Sequence, residues 1–229
     1  MSLQLPPGEP EAGPWRAEPL AAVVAEVMHP AGQHGRRGPV VLAVDGRSSS
    51  GKTTLAGRLR DVVPRAAVVH TDDIAWAHSR FGWDDLLTGG VLRPVRAGQT
   101  VRYRPPRWDD RRRPGAIEVP ADAPLLIVEG VGAARRETAS LIDAAIWVQA
   151  DEREIERRSR VRLGKPGQAP DEQHWLDWMS EEVPFVAAQR SWERAGLVVC
   201  GTPGIACNPA TEIVIAASRP AGTCGPGSW

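Results

Sequence analysis

The sequence predicts an α/β fold, a doubly wound parallel five-stranded sheet with helices on both faces. Three observations predict it. Five short apolar runs recur along the chain, each of strand length. Helical stretches lie between most of them. The first run, PVVLAVDG at 39–46, is apolar throughout until its closing Asp-Gly, as a strand covered on both faces must be.

Residues 1–15 are rich in Pro, Gly and Glu and are expected to be loose. Over 16–28, Leu20, Val23, Val24 and Val27 recur at helical spacing and predict a short amphipathic helix. Residues 29–38 read as a linker, so 1–38 precede the main domain, placed at 39–217. The other strand candidates are 66–70, 124–130, 144–150 and 196–200. The clearest helices are 53–60 and 151–163. A third spans 171–195, with Asp171 as N-cap and Pro184 as a kink or break. Residues 76–113 form a substrate-side insertion, 151–170 a lid-like segment, and 218–229 a disordered tail.

Composition narrows the function. The chain has 229 residues and zero formal net charge, which argues against a dedicated nucleic-acid binder. No apolar run is long enough for a bilayer, and the N-terminal stretch lacks a secretory pattern. Cys200, Cys207 and Cys224 show no metal-ligand spacing, so a reducing cytoplasm with free thiols is expected. Of the 28 basic residues only Lys52 and Lys165 are lysine. An arginine is therefore the default cation here, and a lysine at a special position is informative.

Lys52 holds such a position. Gly46-Arg-Ser-Ser-Ser-Gly51-Lys52-Thr53 has the spacing G-x-x-x-x-G-K-[ST], between an expected strand and an expected helix. Gly46 and Gly51 permit tight backbone geometry, so the amides through Ser48, Ser49 and Ser50 can converge on one polyphosphate. The helix beginning near Lys52 adds its positive dipole end. Lys52 is suited to β- and γ-phosphate oxygens, Thr53 to Mg²⁺, and Thr54 to the α-phosphate. The expected ligands are ATP and Mg²⁺. The pattern alone does not separate kinases from switches or motors.

Strand ends supply the next candidates, because open α/β sheets bind ligands there. The second strand closes on His70-Thr71-Asp72-Asp73, where Asp72 or Asp73 either orients an acceptor hydroxyl or caps the next helix. The third closes on Glu129-Gly130, a metal partner or a surface glutamate. Arg158 and Arg162 share a helix face at i, i+4, which fits phosphate contact or a solvated face with Glu-Arg pairs. A Gly-Lys-Pro-Gly break after them suits a mobile lid. In 76–113, Trp76, Phe81, Trp83, Tyr103 and Trp108 either build a ring-stacking pocket or anchor a surface loop. The stripe Trp175, Trp178, Met179 reads as core packing, and His70 as a packed histidine.

Together, VDGRSSSGKTT, HTDDIAW, RYRPPRWDDRRRPG, LLIVEG, WVQADEREIERRSRVR and GLVVCG resemble, in order, the uridine kinase-like P-loop nucleoside kinases over about residues 39–200. The resemblance implies transfer of the ATP γ-phosphate to a hydroxyl, most simply of uridine or cytidine. It implies Asp72 as hydroxyl activator and Glu129 as the strand-closing glutamate. Trp108-Asp109 would lie near the nucleoside with the Arg111–Arg113 run, and Arg158 and Arg162 would clamp phosphates. This chain departs from the family in having Trp108 where the family has Tyr, and Asp73-Ile74-Ala75-Trp76 after the catalytic aspartate. Competing readings are a kinase of another metabolite or antibiotic, an NTP-hydrolysing switch or ATPase, and an RNA-associated module using Arg111–Arg113. The expected partner is a small hydroxyl acceptor, with no membrane, nucleic acid disfavoured, and homo-oligomerisation left open.

Overall fold

A computed structural model describes residues 2–29, 38–163 and 172–217. The expected tail at 218–229, most of the 29–38 linker, and the Gly-Lys-Pro-Gly break lie outside the described residues.

All five expected strands form, and they form one parallel set. They are β2 (Val40–Gly46), β3 (Ala67–His70), β6 (Leu125–Glu129), β7 (Ala144–Gln149) and β8 (Leu197–Cys200). Their order is β8-β7-β2-β6-β3, with every neighbouring pair parallel. β2 sits at the centre between β6 and β7. Chain connections diverge to either side of it, so its carboxyl end opens into the crevice where such folds bind ligands.

The sheet is larger than the sequence suggests. β9 (Glu212–Ala217) adds antiparallel to β8, and β1 (Arg16–Pro19) adds antiparallel to β9. Among the described residues the sheet thus has seven strands and is mostly, not wholly, parallel. The expected helix over 16–28 shortens to α1 (Leu20–Met28), because residues 16–19 find a strand partner in β9. Proline at 19 has no amide to continue the helix backward.

Both faces are covered, which explains the continuous apolar runs. Leu42 and Val44 of β2 pack with α1 and with α2 (Lys52–Val62) on one face. Val41 and Ala43 face the other side, against Leu126 and Val128 and the insertion. Between β3 and β6 lie α3 (Thr71–Ala75), α4 (Asp84–Leu87) continued by a π-turn over 88–92 into α5 (Arg93–Arg96), and a small antiparallel pair, β4 (Val101–Tyr103) with β5 (Ile117–Val119), so the excursion reaches beyond the expected 76–113 at both ends. α6 (Pro106–Asp110) lies between these strands. α7 (Glu152–Leu163) follows β7. α8 (Glu172–Gln189) runs through Pro184 without ending there.

The N-terminal segment is docked rather than loose. Gln4 pairs through its backbone with Asp151 and Glu152 at the start of α7. Glu9 is buried and accepts from Trp147 Nε1 at 2.6 Å and Gln149 Nε2 at 2.8 Å. Ala12 and Trp15 pack beside Trp147 and Trp192. Polar groups inside the strap have found partners on β7, which composition alone cannot reveal.

Candidate active site

The carboxyl end of β2 turns sharply into α2. Gly46 has φ 151°, and a Cβ there would lie 2.6 Å from the Val148 carbonyl oxygen. Gly51 precedes α2 at φ 108°, and Ser49 also takes a left-handed conformation at φ 60°. No side chain caps the start of α2. Its first amides are therefore available to an anion, and the helix dipole reinforces them.

Lys52 is buried and donates from Nζ to the Arg47 carbonyl at 2.7 Å. Burial pushes its pKa down, while Glu182, Glu129, Asp45 and Asp72 all pull it up. The loop's one ammonium thus faces four carboxylates. Thr53 and Thr54 stand exposed to the cavity in the first turn of α2. The Thr53 hydroxyl donates to Glu129 Oε1 at 3.1 Å, and His70 Nδ1 lies 2.5 Å from the same oxygen. Burial raises the Glu129 carboxyl, but His70, Lys52 and Thr53 outweigh it and hold it below its ordinary value. The Glu129 hydrogen bond raises His70 in return. β3 and β6 place the two groups in register, His70 beside Glu129. His70 is therefore more than packing; it holds the strand-closing carboxylate.

Asp45 is buried one residue before the loop. It accepts from the Gly46, Gly132 and Ala134 amides at 2.7, 2.8 and 3.0 Å. One side chain thereby joins the phosphate loop to the turn after β6. Burial raises its pKa, and those amides oppose the rise. The loop is also gripped from outside. Arg158 of α7 donates to the Gly201 carbonyl at 3.1 Å and reaches the Ser49 carbonyl at 3.4 Å. Ser159 meets the Ser49 hydroxyl at 2.8 Å. Arg162, one turn on, is exposed and lines the cavity.

A cavity of about 740 Å³ opens over these groups. Its lining includes Leu55, Arg58, Cys200, Pro203 and Cys207. It also includes Asp72, Trp76, Arg80, Phe81, Trp175 and Trp178. Asp72 stands exposed at the start of α3, in the same cavity as Lys52, Thr53 and Glu129. Trp175 and Trp178 are thus cavity wall as well as packing, and Trp178 contacts Phe81 at 5.6 Å between ring centroids.

The structure does not bring every expected residue here. Asp73, Tyr103, Trp108, Asp109 and Arg111 are absent from the cavity lining among the described residues. Trp108 is buried and donates Nε1 to the Asp73 carbonyl at 2.9 Å. Arg113 lies over the Trp108 ring at 3.8 Å and pairs with the Asp73 carboxylate. Asp109 binds Arg104 at 2.8 Å, and Arg111 is exposed. Tyr103 presses its ring on Gly90, where any side chain would collide with it. Trp108 and Tyr103 anchor the insertion, so the aromatic wall falls instead to Trp76, Phe81, Trp175 and Trp178. Sequence reasoning missed Asp45 and Glu182. The Asp before Gly46 is the one local signal for the former.

The donor set fits a magnesium nucleotide. Thr53 and Glu129 offer hard oxygen donors beside a run of uncapped amides. Among the described residues no group of three or more His, Cys, Asp or Glu forms a metal cage. Mg²⁺ characteristically takes one or two protein oxygens and completes its shell with phosphate and water.

No family model matches the chain, and no curated protein matches it in sequence. Solved structures do match. The D-glycerate 3-kinase from Cryptococcus neoformans var. grubii aligns with TM-score 0.50 at 14% identity, covering 79% of this chain and 92% of that one. The fold is therefore shared with that kinase. A candidate fructose transport system kinase from Silicibacter sp. TM1040 aligns at 21% identity, TM-score 0.46, covering 75% and 88%. A possible uridine kinase from Bacillus stearothermophilus aligns at 20% identity, TM-score 0.42, covering 78% and 96%. Among the described residues no helix is long and apolar enough to cross a membrane.

Proposed function

We propose that this chain is an ATP- and Mg²⁺-dependent kinase that phosphorylates a hydroxyl of a small molecule. The observation that carries the reading is Asp72, a solvent-facing carboxylate in the same cavity as the phosphate-loop groups Lys52 and Thr53. A phosphoryl acceptor needs a carboxylate there; simple nucleotide storage does not. The fold shared with the Cryptococcus D-glycerate 3-kinase supports phosphotransfer.

In this reading the amides of Gly51 and α2 hold the polyphosphate. Lys52 stabilises negative charge on the transferred group. Thr53 and Glu129 would hold the metal, with His70 fixing the Glu129 carboxylate. Bound Mg²⁺ would neutralise phosphate charge and align the oxygens. Asp72 orients the acceptor hydroxyl and takes its proton at a carboxylate oxygen. Arg158 shapes the loop through its carbonyl contacts, and Arg162 is the arginine left exposed toward incoming phosphate.

The acceptor reading is a nucleoside such as uridine or cytidine. Trp76, Phe81, Trp175 and Trp178 support it, since a flat ring stacks on such a wall. The deciding experiment measures ADP formed from Mg·ATP with uridine, cytidine and a panel of other small hydroxyl compounds, against a blank without acceptor. Stimulation by a pyrimidine nucleoside establishes the full reading. Stimulation by another compound keeps the mechanism and replaces the acceptor. Rapid ADP release in the blank, unchanged by any acceptor, overturns the kinase in favour of an ATPase.

A further inference from the structure

Glu182 sits inside α8, outside every motif named above, with none of its surface exposed. A buried carboxylate is costly unless its oxygens are bonded. Here each oxygen has one donor. Oε1 accepts the Ser48 backbone N–H of the phosphate loop at 2.5 Å. Oε2 accepts Trp178 Nε1 at 2.9 Å, one helical turn back on α8. Glu182 is also the leading carboxylate acting on Lys52.

Ser48 belongs to the loop that would cradle the donor phosphates. The Trp178 ring belongs to the aromatic part of the cavity wall, against Phe81 and under the Arg80 guanidinium at 5.7 Å. We infer that Glu182 is a positioning residue that couples this wall to the phosphate loop, so that a ring stacked on Trp178 is felt at Ser48. The inference rests on the kinase reading for its purpose, though not for its geometry. The mechanism needs only one rigid group with two bonds. When stacking turns the Trp178 indole, its N–H moves against Oε2. A carboxylate packed on all sides answers as a unit, and Oε1 shifts against the Ser48 amide. The loop then tightens or loosens before any chemistry. Conversely, a polyphosphate drawing on the loop amides competes with Oε1 and pulls on Trp178. Coupling of this kind is reciprocal by thermodynamic necessity.

The test uses the full chain and two substitutions. Trp178→Phe keeps an aromatic ring and deletes the indole N–H together with part of the fused ring's area; Glu182→Gln keeps size and removes the charge. Amide exchange at Ser48, read by NMR without nucleotide, reports the bond directly. The expected result is Ser48 exchange faster by about tenfold in Trp178→Phe and by more in Glu182→Gln. In the double variant the two effects should overlap rather than multiply. With Mg·ATP and an active acceptor, Trp178→Phe should raise the KM for nucleotide as well as for acceptor. A role confined to packing the wall would move the acceptor KM alone. Ser48 exchange within about twofold of the parent in Trp178→Phe would overturn the coupling. So would effects that multiply in the double variant. Because exchange needs no turnover, the outcomes separate. A coupled but inactive protein sinks the kinase reading, and an active protein with independent sites sinks the inference.

Discussion

The Thr53 hydroxyl and the Glu129 carboxylate are joined by a hydrogen bond of 3.1 Å across the carboxyl edge of the sheet. One comes from the first turn of α2, the other from the last residue of β6. These two residues would hold a divalent ion, which would supply charge neutralisation to the bound phosphates. Thr53→Ala removes the hydroxyl from an exposed position and should leave the fold unchanged. Turnover should fall about a hundredfold, with the Mg²⁺ concentration for half-maximal rate rising. Metal titration of the steady-state rate checks this. An unchanged titration curve would remove Thr53 from the metal site.

Asp72 is exposed and lines the cavity, so an amide can replace its carboxylate without disturbing a buried site. Asp72→Asn should bind Mg·ATP as the parent does and lose transfer by roughly 10²–10⁴-fold. Calorimetric nucleotide titration beside the coupled assay separates the two. Normal transfer in this variant would end the assignment.

Gly201 follows β8 with no side chain, and the Ser50 carbonyl occupies the space a Cβ would take. Arg158 donates to the Gly201 carbonyl. Gly201→Ala should therefore push the phosphate loop rather than the strand. The expected cost is about 1–3 kcal/mol of stability, the usual range for overpacking, with a larger relative loss of nucleotide affinity. Urea unfolding and nucleotide titration on the same preparation measure both.

Glu9 yields a pH prediction. Its burial beside β7 raises its pKa above the ordinary 4.5, against the pull of Gln149 and Trp147. The folded state therefore holds the Glu9 proton more tightly than the unfolded chain does. The resulting stabilisation is complete below about pH 4.5 and is lost as pH rises through the folded value. Glu9→Gln has no proton to lose, and both donors converge on Oε1, which an amide oxygen replaces. Its stability relative to the parent should rise between pH 4.5 and 7.5. Chemical denaturation at the two pH values tests it; a constant difference would mean Glu9 is not protonated on folding.

Legibility in the sequence followed the range of the interactions. The loop from Gly46 to Thr53 was readable because phosphate chemistry demands fixed local spacing. The five parallel strands were readable because burial on both faces writes an unbroken apolar run. β1 was not, since Arg16-Ala-Glu-Pro19 becomes a strand only by pairing with β9. Glu182 was invisible for the same reason: a helical glutamate in an acidic stretch looks solvated until Ser48 arrives from another part of the chain. Trp175 and Trp178 were seen as a stripe and assigned to packing, because helical spacing reports a face and not what it borders. Trp108 was drawn to the site by resemblance, while its indole N–H in fact secures the Asp73 carbonyl.

The edge of the sheet carries a consequence for timing. Among the described residues β1 pairs only with β9, nearly the whole described chain away, and Glu9 waits for β7. Closing so long a loop is slow compared with forming local helices. As the polypeptide leaves the ribosome, Arg16–Pro19 has nothing to join until Glu212–Ala217 has also emerged. The central strands and the phosphate loop can assemble first, leaving β8 with a bare edge until β9 settles against it. That interval, rather than the finished fold, is when this protein is most exposed to pairing with a neighbour's strand.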